Sequence, residues 1–208
     1  MKAVITTILL DPEARGDVKT DPSYGHLREP VLLMTHLLRA FNAVTDGVLV
    51  TSSPGSFSTP LGENVFNPPT VFSYFPADFG LPGTNLFGPE FGILDTSTTY
   101  ARTNFMNTLF VANGGQGIPI NGVNRPAGTQ INFASYQTLA ANNPASSQPL
   151  VDALNARLMH GTMSAAMNAS IVAAVNAITN ATPATQALQR TQTAIYLVAT
   201  SAQYQVER

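Results

Sequence analysis

Residues Leu27 to Asp46, LREPVLLMTHLLRAFNAVTD, decide how this chain is read. Set at about 100° per residue, Arg28, Thr35, Arg39, Asn42 and Asp46 fall on one side of a helical wheel, with Glu29 and His36 at its edge. Val31, Leu33, Met34, Leu37, Leu38, Ala40, Phe41 and Val44 fall on the other; Leu32 and Ala43 intrude on the polar arc and Thr45 on the apolar one. This is amphipathic-helix periodicity, not strand alternation. Pro30 suits the first helical turn, where its missing N–H costs nothing. Glu29 then stands where the helix dipole favours an anion. Asp46-Gly47 is the expected stop, with Gly47 in the left-handed cap conformation. The broad apolar arc predicts a helix that packs on more than one neighbour and organises the fold.

Helical patterning continues on both sides. Lys2 to Leu10 reads as a helix, and Asp11-Pro12 as the start of a further short turn. A chain that starts inside a helix is expected to continue one from upstream. Residues 16–26 form a polar loop, with His26 in it as a solvated or capping histidine. Residues 48–89 change character. Seven prolines from Pro54 to Pro89 interrupt any long element, yet Phe57, Phe66, Phe72, Tyr74, Phe75, Phe79 and Phe87 also fall here. A disordered linker would lack such rings, so an ordered aromatic loop fastened to the helical core is expected. Within it, residues 58–64 suit a short helix and residues 70–75 a single turn.

A second long helix is expected over residues 90–111, followed by a glycine turn at 113–117 and a weak hairpin signal at 118–123. Residues 131–133 suit a short extended piece. The last third is helical. Residues 135–142 form one helix, and Gln148-Pro149 opens another with Leu150, Val151, Leu154 and Leu158 on one face. Ser164 caps the next, and Thr182-Pro183 opens the last. The fold class is therefore mainly α: a multi-helix globular core carrying a long aromatic, Pro/Gly-rich ordered loop. The whole chain, 1–208, reads as one domain or the C-terminal part of one. It is helical over 1–47, irregular over 48–89, helical over 90–112, a loop over 113–134 and helical over 135–208.

Composition narrows the function classes. Only 11% of the 208 residues are charged and the net charge is −2, so no basic surface is available for nucleic acid. Without cysteine there is no thiolate nucleophile, disulfide or cysteine metal site. No apolar run approaches a membrane span, and the first residues lack the small-residue cleavage site of a signal peptide. The neutral-polar composition is common in exported bacterial proteins.

Candidate chemistry gathers in the Leu27 stretch. Glu29, His36 and Glu90 are the catalytic candidates, and Arg28, Arg39, Tyr74 and Arg102 the ligand-binding ones. Glu29 and His36 share a face, but two turns separate them by roughly 10 Å along the axis. They can flank a ligand, or simply border core and polar face. No G-x-S-x-G is present, and Gly161-Thr162-Met163-Ser164 reads as a helix stop followed by a cap. Three histidines, His26, His36 and His160, without an H-E-x-x-H pattern predict no metal site. Nothing in the chain calls for a cofactor. Asp78, Glu90 and Asp95 leave paired-carboxylate glycoside chemistry open.

Several strings then fall into one register: AVITTILLDPEAR at Ala3 to Arg15, LREPVLLMTHLLRAF at Leu27 to Phe41, NPPTVFSYF at Asn67 to Phe75, PEFGIL at Pro89 to Leu94, LMHGTMSAAM at Leu158 to Met167 and AIYLVATSAQYQV at Ala194 to Val206. Their order resembles the C-terminal half of the bacterial domain of unknown function 1800 family. The resemblance implies a helical protein about twice this length, exported to the periplasm or cell exterior, with an N-terminal half missing here. It also implies a possible exported partner with a sulfatase-like fold, of the domain of unknown function 1501 family. It carries no catalytic assignment. The chain departs from the family pattern in having Ser201-Ala202 in place of Ser-Pro, and Asn168 in place of a basic residue.

Overall fold

The computed structural model describes residues 1–11, 24–44, 59–112 and 129–207. Among these, the fold is mainly helical. Its elements are α1 (Lys2–Leu10), β1 (His26–Leu27), α2 (Pro30–Ala40), α3 (Thr96–Phe110), α4 (Ala134–Asn142), α5 (Gln148–Leu158), α6 (Ala165–Asn176), α7 (Pro183–Thr200), α8 (Ala202–Gln205) and β2 (Val206–Glu207). Thr59–Leu61 and Pro89–Ile93 form 3₁₀ turns. No described helix is long and apolar enough to cross a membrane.

The centre of the core is α7. It buries Ala187, Ala194, Ile195, Val198 and Ala199, and it packs against α3, α4, α5 and α6. Alanines on that face let neighbouring helices approach, and the branched residues fill the gaps between them. Pro183 occupies its first turn, as the sequence predicts. Ser164 caps α6 by accepting from the Met167 N–H at 3.2 Å. The predicted face of α5, Leu150, Val151, Leu154 and Leu158, is buried in full.

The Leu27 stretch is shorter and more peripheral than its periodicity suggests. Leu27 belongs to β1, and the helix covers only Pro30–Ala40. It buries Leu33, Met34, Leu37 and Leu38, and it packs on α5. Its stop is Asn42; the stop expected at Asp46-Gly47 lies outside the described residues. Asn42 adopts φ 48°, its N–H donates to the Arg39 carbonyl at 3.3 Å, and the Ala43 N–H donates to the Leu38 carbonyl at 2.8 Å. That pairing satisfies the last orphan carbonyls of the helix, with asparagine tolerating the left-handed position. Phe41 then turns into the core, its ring edge-on to Phe110 at 5.1 Å and to Tyr136 at 5.7 Å. Val44 pairs with Gln130 as an isolated antiparallel bridge, just before the extended piece expected at 131–133.

The second long helix also starts later than expected. Residues 89–93 form a 3₁₀ turn, and α3 begins afresh at Thr96. The Asp95 carboxylate accepts from the Thr98 N–H, and the Thr98 hydroxyl accepts from the Asp95 N–H, both at 2.8 Å. This reciprocal box satisfies two orphan donors and fixes the start. The backbone N–H of Thr98, and then its hydroxyl, hold the Asp95 carboxyl below its ordinary value.

The aromatic loop is fastened at fewer points than its rings suggest. Leu61 and Glu63 are buried. Phe75 and Phe79 lie over Gly92, where an added Cβ would sit 3.2 Å from the Phe75 Cβ. Phe66, Phe72 and Phe87 instead face solvent. Every residue of α1 is exposed as well. The turn expected after Asp11, residues 16–23 of the polar loop, the glycine turn at 113–117 and the hairpin at 118–123 lie outside the described residues.

Candidate functional site

Two distant pieces of chain meet at β1 and β2. They pair antiparallel, His26 opposite Glu207 and Leu27 opposite Val206. The Arg28 N–H extends the pairing by donating to the Gln205 carbonyl at 2.8 Å. This clasp brings Arg28 and His36 of the Leu27 stretch against Tyr204 and Glu207.

Arg28 is the hub. Its side chain is almost wholly buried, with Nε donating to the Tyr204 carbonyl at 3.0 Å. Its guanidinium carbon stands 5.0 Å from the centre of the Tyr204 ring. Nη1 lies 3.2 Å from a Glu207 carboxylate oxygen, and His26 Nε2 lies 3.7 Å from the same oxygen. His36 Nδ1 and the Tyr204 hydroxyl are hydrogen-bonded at 2.8 Å. Burial, and then the Arg28 charge, hold the His36 imidazole below its ordinary value. Burial pushes the Tyr204 phenol well above its own, so it remains a neutral hydroxyl.

A cavity of about 20 Å³, the size of one water, is lined by Arg28, His160, Gln203 and Tyr204 among others. Beside it a cleft of about 380 Å³ is lined by Thr162, Ser164, Ala202, Gln203 and Val206. Thr162, Gln203 and Val206 border both. The wall between α5 and α6 is held firmly. His160 and Gly161 take left-handed φ of 52° and 83°, and the Asn155 side chain accepts from the Met163 N–H at 3.1 Å. Gln203 clamps Ser164 twice: its amide oxygen accepts from the Ser164 N–H at 3.0 Å and its amide nitrogen donates to Oγ at 2.8 Å. Ser164 therefore has a structural role as cap and clamp.

The other sequence candidates lie elsewhere. Glu29 precedes α2, yet its side chain does not cap the helix. The cap comes from Glu63, buried on the aromatic loop, whose carboxylate accepts from the Val31 N–H at 2.9 Å. Burial is the main cause that raises the Glu63 carboxyl above its ordinary value, and the nearby Glu29 adds to it. Arg102 is fully buried on α3, and its Nη1 donates to the Arg28 carbonyl at 2.9 Å. Its Nε and Nη2 have no partner among the described residues. Burial lowers Arg102 to about 10, partly offset by Glu63, so it stays charged at neutral pH. Arg39 is exposed on α2. The Tyr74 hydroxyl donates to the Asn64 carbonyl within its own loop. Glu90 is half-buried in the Pro89–Ile93 turn. The structure thus joins Arg28 with His36 in one cluster, links Arg102 to Arg28 from behind, and places Glu29 beside Glu63.

Sequence reading missed Tyr204, Glu207 and Gln203. Tyr204 lay within one of the familiar strings, but nothing local marks it as the partner of His36. No group of three or more His, Cys, Asp or Glu among the described residues is placed to hold a metal ion.

A family model described as protein of unknown function (DUF1800) matches residues 1–206. The chain belongs to this family. No curated protein and no solved structure matches it. The clasp of this DUF1800 chain lies within two of the strings quoted for the resemblance, at residues 27–41 and 194–206, and extends just past them to Glu207. What its geometry offers chemically is a buried cation paired with a partly exposed carboxylate. Its hydroxyls and amides are already engaged with each other.

Proposed function

We propose that this DUF1800 chain is a non-catalytic, exported envelope or surface-associated protein that acts by binding a partner. The observation that carries this reading is the uncovered apolar face of α1, where Val4, Ile8 and Leu9 are more than half exposed. A short helix of this length is marginal by itself in water, and exposed apolar faces of this kind mark interaction sites. The exposed rings of Phe66 and Phe72 are a further uncovered apolar surface. The low charge content fits a periplasmic or extracellular setting. By family resemblance, the partner is an exported protein with a sulfatase-like fold. The test is turnover. If the purified full-length protein degrades envelope polymers, and one alanine at Glu29, His36 or Glu90 abolishes that, the reading fails.

A second reading, a hydrolase acting on a polysaccharide or ester of the cell envelope, draws on one observation. His36 is held neutral beside the clasp, as a proton acceptor must be. It requires Glu29 or Glu90 to approach the same bound substrate. Unchanged substrate binding and no turnover in any envelope fraction would end it.

A further inference from the structure

We propose that Arg28 binds the charged group of a small anionic ligand whose body lies in the adjoining cleft, and that Glu207 occupies the anion's place on Arg28 when the site is empty. The ion pair is unequal. The side chain of Arg28 is 7% exposed and that of Glu207 40% exposed. The counter-charge offsets part of the cost of burying the Arg28 guanidinium, so losing it without replacement is unfavourable. A wet carboxylate supplies that charge weakly and can be exchanged for another. Glu207 also has somewhere to go: the oxygen that faces Arg28 is 3.7 Å from His26 Nε2, across the same strand pair. Moving onto His26 leaves the β1–β2 backbone pairing intact.

Glu207 faces both the Arg28 guanidinium at 3.2 Å and the His26 ring at 3.7 Å. His160 lines the cavity with Arg28 and is itself exposed, so it stands at the entrance. The adjoining cleft is bordered by Thr162, Ser164 and Gln203, whose polar groups bond within the protein, so it offers a neutral polar wall without a charge. The ligand class is thus a carboxylate, sulfate or phosphate group carried on a polar body such as a sugar. In the guanidinium fork such a group makes paired charge-assisted hydrogen bonds.

The test is titration of the whole chain at constant ionic strength with inorganic sulfate, inorganic phosphate, glucose 6-sulfate and glucose 6-phosphate, followed by NMR shifts of the Arg28 side-chain N–H and the His160 ring. Glu207→Gln should tighten anion binding about two- to fivefold, the effect of removing one exposed competing charge. Glu207→Asp, which keeps the charge but shortens its reach, should tighten it less and guards against a folding defect in the first variant. Arg28→Lys and His160→Gln should weaken it. The sulfate and phosphate arms identify which ester the site takes. Equal or weaker binding by both Glu207 variants, or shifts scattered away from Arg28 and His160, overturns the proposal. Equal affinity for the sugar esters and the inorganic ions overturns the part given to the cleft.

Discussion

His36 Nδ1 and the Tyr204 hydroxyl stand 2.8 Å apart, and their rings stack at 24° with centres 5.8 Å apart. The pair ties α2 to α8 across 168 positions of sequence. It holds an imidazole in a place where its charged form is disfavoured, so stability at this site depends on pH. Burial first, then Arg28, depresses His36 from its ordinary 6.5. For a base with a depressed folded pKa, the stabilising contribution is complete above the unfolded value. It is lost as pH falls through the folded value, because the unfolded chain takes up the proton first. Thermal unfolding midpoints should therefore drop as pH goes below 6.5, and His36→Gln should flatten that slope. Tyr204→Phe keeps the ring and removes the hydroxyl, and it should cost about 1 kcal/mol at neutral pH in urea unfolding.

Glu63 works in the opposite sense. A carboxyl whose folded pKa is raised contributes stability that is complete below its ordinary 4.5 and lost as pH rises through the folded value. Its carboxylate nevertheless caps α2 at Val31. Glu63→Ala removes that acceptor and should destabilise the chain by about 1–2 kcal/mol. Glu63→Gln keeps an acceptor oxygen without the desolvated charge and should lose less. Chemical denaturation of both variants at neutral pH gives the comparison.

Arg190 binds three backbone carbonyls at once. Nε donates to Ile178 at 3.1 Å, Nη1 to Pro144 at 2.7 Å and Nη2 to Asn176 at 3.3 Å. The side chain is buried, so these carbonyls have little water to replace it. Arg190→Ala should cost about 3 kcal/mol or more, and Arg190→Lys should recover only part of this, since an ammonium cannot present the planar fork. Thermal unfolding of the two variants against the parent decides it.

Surface substitutions on α1 should behave differently. Ile8→Lys replaces an exposed apolar residue and should leave stability within about 0.5 kcal/mol. It should also reduce self-association of the isolated chain at high concentration, read by light scattering after size exclusion. Loss of cooperative unfolding in this variant would mean that α1 packs against the core.

Helices bounded by local chemistry were the legible part of this protein. Ser164, Gln148-Pro149 and Thr182-Pro183 mark their own starts, because capping involves residues a few positions apart. The start of α3 was equally local, since Asp95 and Thr98 form a box on their own. The longer helix expected from residue 90 concealed it. Of the site, the sequence marks His36, with Glu29, at the edge of the apolar face; it puts Arg28 on the polar side, where the structure buries it. It does not mark Glu63 as the cap of α2, because that acceptor comes from a loop 32 positions away.

By itself, then, the sequence determined a mainly α chain, most of its helix starts, and the place of His36 at the edge of the Leu27 helix. All of these follow from short-range periodicity and capping. Only the tertiary structure decided that α7 and not the Leu27 stretch lies at the centre, and that the counter-ion and the hydroxyl facing Arg28 and His36 come from residues 204–207. Those choices depend on which faces bury each other and on one strand pair closing a long loop, which no local pattern encodes.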